Sequence, residues 1–160
     1  MVETTNESAL IGALLDSCCE HVLETMFFTS ILESAASGEG LGLSRVSAQL
    51  SFRGKPSGAF EVDADPKVAQ TLAASFLGVE ESEVTGRQAE EVMIEFANMT
   101  CGSALSSLGQ VKYFHLDTGI GRRTEAYQPT VDGVRRAYWL EGGSLAVCLR
   151  VNFENAAPMT

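Results

Sequence analysis

The chain has 160 residues, 45% of them aliphatic or aromatic and 20% charged, and its 21 Asp and Glu against 11 Lys and Arg give a net charge of −10. That length and balance fit one globular domain over residues 1–160 with a sizeable core. The acidity excludes partners that need a cationic excess: no nucleic acid and no membrane surface is predicted.

The N-terminal stretch MVETTNESALIGALL has no basic n-region and no A-x-A-like cleavage site. No apolar run approaches the length of a membrane span. Cys18, Cys19, Cys101 and Cys148 form no C-x-x-C, and in a chain without an export signal they are predicted to be reduced thiols. These features predict a cytoplasmic protein. Seven acids (Glu3, Glu7, Asp16, Glu20, Glu24, Glu33, Glu39) precede the first basic residue, Arg45, and predict a solvated helical face.

Thr4-x-x-Glu7 has the form of a capping box and predicts a helix from about residue 5. Leu10, Leu14, Cys18, Val22 and Met26 give that helix an apolar stripe as far as Phe28. A Gly/Ser-rich loop follows at 37–44. VSAQLSF and GAFEVDA alternate as strands around Arg53-Gly54-Lys55-Pro56, predicting a hairpin. Asp65-Pro66 predicts a helix start with Asp65 as N-cap, and Gly78 its end. After the polar segment VEESEVTGR comes a long helix from about Gly86 to Leu108. QVKYFHL, VRRAYWL and SLAVCLRVNF are strand candidates, the last two joined by Glu141-Gly142-Gly143 as a hairpin. Helices interleaved with antiparallel strand pairs predict an α+β fold. Each half runs helix, Gly-containing loop, hairpin.

On a helical wheel, Val92, Met93, Phe96, Ala97, Met99, Thr100, Cys101, Ala104 and Leu108 fill one broad side of the long helix. Glu91, Glu95, Asn98 and Gly102 fall within a polar arc of about 60° on the other side. Ile94 and Leu105 sit at the edge of that arc. Asn and Gly inside a helix cost about 0.5 and about 1 kcal/mol relative to Ala. A solvated face with incidental Asn and Gly is the plain alternative to a functional surface.

VSAQLSFRGKPSGAFEVDADPKVAQTLAASFLG followed by EVMIEFANMTCGSALSSLG resembles the CheX/CheC family of chemotaxis phosphatases. The likeness centres on Glu95-Phe96-Ala97-Asn98, an E-x-x-N on the long helix, with Gly102 one turn on. It also includes VLETMFF at the end of the first helix. The resemblance implies two long helices and a shorter one on a mostly antiparallel sheet, with halves repeated about a pseudo-twofold axis. It implies a phosphatase acting on the aspartyl phosphate of a response-regulator receiver domain. In that chemistry Asn98 holds the attacking water and Glu95 pairs with the receiver's lysine. Glu91, Ile94, Gly102 and Leu105 then form the surrounding partner surface. Magnesium belongs to the receiver, so no cofactor or metal is predicted for this chain, and a homodimer is implied. VRRAYWL and SLAVCLRVNF are the predicted sheet edge.

Two positions depart from the family pattern: Glu91 stands where Asp or Ser is usual, and Gly121 where a proline is usual. In the first helix, Leu23 replaces the asparagine of a second E-x-x-N after Glu20, and Phe27 matches Gly102. Leucine cannot orient water, so one site per chain is predicted. The absent proline favours the other class of function, a catalytically silent adaptor of the flagellar-switch kind. Cys101-x5-Ser107 lacks the final Arg of a phosphatase loop, and Cys18, Cys19 and His21 spread around a helix. His115 is predicted as a surface strand residue without a ligand partner, and Asp63-x-Asp65 as a cap rather than half a metal site.

Overall fold

The structure, a computed structural model, describes residues 2–35, 41–108, 113–117 and 119–152, with side chains described from residue 6 onward except those of Tyr113 and Phe114. The elements in chain order are α1 (Val2–Met26), β1 (Glu33–Ala35), β2 (Arg45–Lys55), β3 (Ser57–Ala64), α2 (Pro66–Leu77), α3 (Gly86–Ser107), β4 (Tyr113–Leu116), β5 (Ile120–Thr124), β6 (Val134–Leu140) and β7 (Gly143–Asn152). A single 3-10 turn, Glu81–Glu83, lies between α2 and α3. All strands join one antiparallel sheet of order β1-β6-β7-β3-β2-β4, with β5 continuing beyond β4 along the same edge of β2.

That order is a palindrome. Hairpin β2–β3 and hairpin β6–β7 meet at the β3·β7 pair, where Phe60 faces Leu149 and Glu61 faces Cys148. The strand after α1 pairs with the second hairpin, Glu33 opposite Trp139, and the strands after α3 pair with the first. The repeated halves therefore exchange their edge strands. This places β6 and β7 in the interior, so the predicted edge is corrected: β1 and β4–β5 are the described edges.

Alternation along the strands sends Val46, Ala48, Leu50, Phe52, Phe60, Val62, Leu145, Val147 and Leu149 into one core with all three helices. The other face is not simply wet. Residues 130–131 fold back over it: the Thr130 and Val131 amides donate to Glu61 Oε1 at 3.1 and 3.3 Å, and Val131 packs with Ala59 and Cys148. Glu61 and Asp63 are consequently buried despite their charge.

The charge of Asp63 is met by Arg45, itself fully buried. Arg45 Nε donates to Asp63 Oδ1 at 2.8 Å, and its Nη1 to Asp65 Oδ1 at 3.0 Å and Ser144 Oγ at 2.8 Å. Arg135 adds a 3.1 Å bond to Asp63 Oδ2. Asp65 does occupy the N-cap of α2 before Pro66, but its carboxylate makes no cap bond. It accepts instead from Arg45 and from the Ser144 amide at 2.8 Å. A buried guanidinium demands that second carboxylate more strongly than the helix end does.

Several boundaries differ from the sequence pattern. Helix α1 begins at Val2, a turn before the expected start, and the Thr4 side chain lies outside the described residues. Its buried stripe is Ile11, Leu15, Cys18, Cys19, Val22, Leu23 and Phe27, whereas Leu10 is 64% and Met26 43% exposed. A strict i+4 row drifts about 40° per step round a helix, so its two ends leave the buried face. Strands β1 and β5 are additional, each too short to show alternation. Residues 37–40 of the predicted loop, Gln110–Lys112 of QVKYFHL and Phe153 of the last strand lie outside the described residues. Among the described residues, no helix is long and apolar enough to cross a membrane.

Arg45→Met is expected to destabilise the fold by about 3–5 kcal/mol in urea unfolding, because Asp63 stays buried with only Arg135 beside it. Arg87→Met, which removes an exposed i,i+4 pair with Glu91, is expected to cost under about 0.5 kcal/mol. Equal effects would show that the buried network contributes nothing.

Candidate functional site on helix α3

Helix α3 starts from a complete capping box: the Gln88 amide donates to Thr85 Oγ1 at 3.1 Å, and the Thr85 amide donates to Gln88 Oε1 at 2.9 Å. The cap fixes the helix phase at its first turn. Ala89, Val92, Met93, Phe96, Ala97, Thr100, Cys101, Ala104 and Leu105 then face the interior. Phe96 meets Phe27 edge-on at 5.6 Å between centroids, and Phe27 stacks on Phe76 at 5.2 Å. One aromatic cluster thus ties α3 to the ends of α1 and α2.

The remaining face carries Glu91, Glu95, Asn98 and Gly102 in one row along the helix. Glu91 and Glu95 are exposed, while Asn98 and Gly102 are half-buried. Glu91 Oε1 accepts from Arg87 Nε at 3.2 Å. Among the described residues Glu95 and Asn98 have no hydrogen-bond or ion-pair partner. A Cβ added at Gly102 would meet nothing within 4 Å, so the surface above it is open. The arrangement presents a free carboxylate and a free carboxamide on adjacent turns of a rigid helix. A carboxylate can receive a cation from a partner, and a carboxamide can donate to and accept from a water at any pH.

The flanks are less open than the wheel suggests. Ile94 is half-buried and its Cγ2 lies beneath Gly119. Leu105 is fully buried in the core cluster, which corrects its assignment to the partner surface. It sits one turn beyond Cys101 on the same flank of the helix as Ile94, while on the opposite flank Ser103 Oγ reaches Cys18 Sγ at 3.4 Å. Met99 and Leu108, expected inside, are half-buried. Two residues beyond the predicted set matter: Gly119 and Gly121 bring β5 against α3, and only Gly121 had a sequence signal.

On the corresponding row of α1, Glu20 is exposed, but the positions matching Asn98 and Gly102 are turned inward. Leu23 and Phe27 are fully buried. Asp16, at the position of Glu91, accepts from the Tyr138 hydroxyl at 2.8 Å and pairs with Arg136 at 3.4 Å. It holds β6 rather than facing a partner.

Four cavities of about 70 to 420 Å³ lie elsewhere, and none is lined by Glu95 or Asn98. The α3 row, with Glu91 and Glu95 exposed, is a surface open to another molecule rather than the lining of one of these four cavities. On the sheet edge, Asp117 accepts from Ser51 at 2.8 Å and pairs with Arg53 at 3.0 Å. Its carboxylate also lies 4.0 Å from His115 Nε2. His115 is exposed as predicted, but it does have this acidic neighbour. The Ser51 hydroxyl, with Arg53 and His115 beside it, lowers the Asp117 carboxyl from its ordinary value.

Burial pushes the Cys101 thiol up to about 12 from its ordinary 9.0, and Cys19 higher still for the same reason. A thiol held neutral at pH 7 is no nucleophile. Because these folded values lie above the unfolded ones, their contribution to stability is complete below about pH 9 and is lost as pH rises towards 12. Urea midpoints are expected to be flat to about pH 8.5 and to fall above pH 9, less steeply for Cys101→Ala. An equal alkaline fall in that variant would remove Cys101 as a contributor.

A family model described as chemotaxis phosphatase CheX matches residues 46–129. That segment runs from β2 through the whole of α3 to the end of β5. No curated protein matches the chain by sequence. Among solved structures, the CheX chemotaxis protein of Vibrio vulnificus is 16% identical with a TM-score of 0.71, covering 86% of this chain and 93% of that one. A CheX–CheY–BeF3–Mg complex from Borrelia burgdorferi gives 16% and 0.66, covering 88% and 96%. FliY from Thermotoga maritima gives 16% and 0.61, covering 92% of each. At these identities the structures establish the shared α+β fold, and the matched segment establishes the lineage: the chain belongs to the CheX family of chemotaxis phosphatases.

Proposed function

We propose that this chain hydrolyses the aspartyl phosphate of a CheY-like receiver domain, with Asn98 orienting the attacking water and Glu95 docking to the receiver's lysine. The observation that carries this reading is the pair itself. Glu95 and Asn98 stand free on one face of α3, within the segment that matches the family. The Borrelia neighbour is a complex of a CheX with a CheY carrying BeF3 and magnesium, which fits a receiver as the partner class.

This face meets the receiver's phosphorylation pocket. Asn98 holds one water in line with the phosphorus, and Glu95 takes the lysine ammonium, fixing the helix beside it. Water oxygen bonds to phosphorus as the bond from phosphorus to the aspartyl oxygen breaks. The aspartate leaves as carboxylate and the water proton ends on inorganic phosphate. A magnesium ion held by the receiver would supply further positive charge at the phosphoryl oxygens, and no residue of this chain is assigned to hold it. Glu91 and Ile94 border the contact, and Gly102 gives the receiver room to approach. The burial of Leu23 and Phe27 on α1 supports one such site per chain among the described residues.

The resemblance to FliY supports a second reading, a binding module that engages a receiver without altering its phosphate lifetime. Phosphate release from a phosphorylated receiver separates the two. Asn98→Ala is expected to lower turnover about 10²–10³-fold, the usual cost of removing one positioning group. Glu95→Ala is expected to weaken docking and raise KM. Wild-type rates in both variants would remove these roles, and binding with an unchanged phosphate lifetime would favour the adaptor.

The same reading includes a cytoplasmic homodimer. Since β6 and β7 are interior, two copies would pair along β1 or β4–β5. Sedimentation at micromolar concentration is expected to show the dimer, and a single monomeric species would exclude it.

A further inference from the structure

Where the family pattern carries proline, this chain has Gly121, and the structure shows what the glycine does. Gly121 pairs with Ala48 on β2, directly beside α3. A Cβ at Gly121 would lie 2.9 Å from the Glu90 carbonyl oxygen and 3.2 Å from Glu90 Cβ. At Gly119, a Cβ would lie 2.9 Å from Ile94 Cγ2. By contrast, Gly86 and Gly102 on α3 itself have open space. Among the described glycines beside or on α3, the close approaches are at Gly119 and Gly121, on the flank between strand and helix.

Both contacts fall just before the Glu95–Asn98 pair along the helix. Glu90 adjoins Glu91 and lies one turn before Ile94, and Ile94 adjoins Glu95 and lies one turn before Asn98. The opposite flank of α3 is fixed by Phe27 against Phe96 and by Ser103 against Cys18. With that side held, any atom added at Gly121 meets backbone rather than a movable side chain end, so α3 must tilt or β5 must retreat.

We propose that Gly121, assisted by Gly119, is a positioning residue that sets the height of α3 over the sheet and thereby the placement of Glu95 and Asn98. The consequence for catalysis rests on the phosphatase reading above, whereas the seating of the helix does not. The glycine brings the strand into contact with the helix backbone, and the proline ring would not fit there without displacing α3.

The test uses the full chain with Gly121→Ala, and Gly86→Ala as the control, a substitution on the same helix where space is free. Turnover of a phosphorylated receiver is measured together with the amide resonances of residues 90–98. Gly121→Ala is expected to fold, to shift those resonances, and to lower kcat about 10- to 100-fold, as an ångström-scale misplacement does. Gly86→Ala is expected to change neither. Unchanged kcat and unshifted α3 resonances in folded Gly121→Ala would overturn the proposal. A lower melting temperature with kcat intact would also overturn it, since that marks a purely structural role.

A second pair covers the case of a Gly121 variant that does not fold. Gly119→Ala is expected to lower kcat in the wild-type background but not further in Ile94→Ala, where the opposing Cγ2 is gone. A further loss in that background would overturn the Gly119 contact. If Asn98→Ala proves as active as wild type, the phosphatase roles fall, and the resonance shifts alone then decide the seating.

Discussion

Helix α3 buries nine side chains from Ala89 to Leu105 between the sheet and the other two helices, and that burial decides what remains outside. Each large apolar side chain removed from water contributes about 1.5–3 kcal/mol. Asn98 and Gly102 oppose helix formation by about 0.5–1 kcal/mol each. The packing of Met93, Phe96 and Leu105 easily offsets them. A helix held this firmly can carry residues chosen for a partner rather than for its own stability. The position of the exposed row follows from three contacts: the Thr85 cap, the Phe27–Phe96 pair and the approach of β5.

The buried network around Arg45 has a different task. It joins β2, the start of α2 and the β6–β7 turn through Asp63, Asp65 and Ser144. Such a cluster is directional where apolar packing is not. A one-residue slip of β2 against β3 would turn Arg45 to the helix side and leave Asp63 without it. The apolar core supplies the drive to fold, and the guanidinium makes a neighbouring register costly.

Much of this was legible in the sequence because it followed strong local signals. The hairpins at Arg53–Pro56 and Glu141–Gly143, the Pro66 start, the Gly78 stop and the span of α3 all rest on turn chemistry or a long period. The Glu95–Asn98 face emerged from the same wheel. What stayed hidden depended on tertiary neighbours. Leu105 lies at an angle that periodicity left at the margin, and only its place in the assembled core decides that it is inside. Asp65 stands at an N-cap, yet Arg45 from twenty residues upstream takes its carboxylate. Strands β1 and β5 exist through their partners, being too short to alternate. Gly121 drew notice as a missing proline, and only its distance to Glu90 gives the substitution a physical sense.

The exchange of edge strands between the halves has a temporal meaning. Strand β1 follows α1 closely in the chain but finds its partner in β6, so Glu33 waits for Trp139. A chain made N-terminus first leaves β1 unpaired until the roughly hundred residues between it and β6 have been made. Contacts this distant in sequence slow the search for the native pairing. Early exposure of an unpaired strand invites wrong partners. The dense acids of the first 44 residues then acquire a use that the folded state does not reveal: like charges hold nascent copies apart while the sheet is still open.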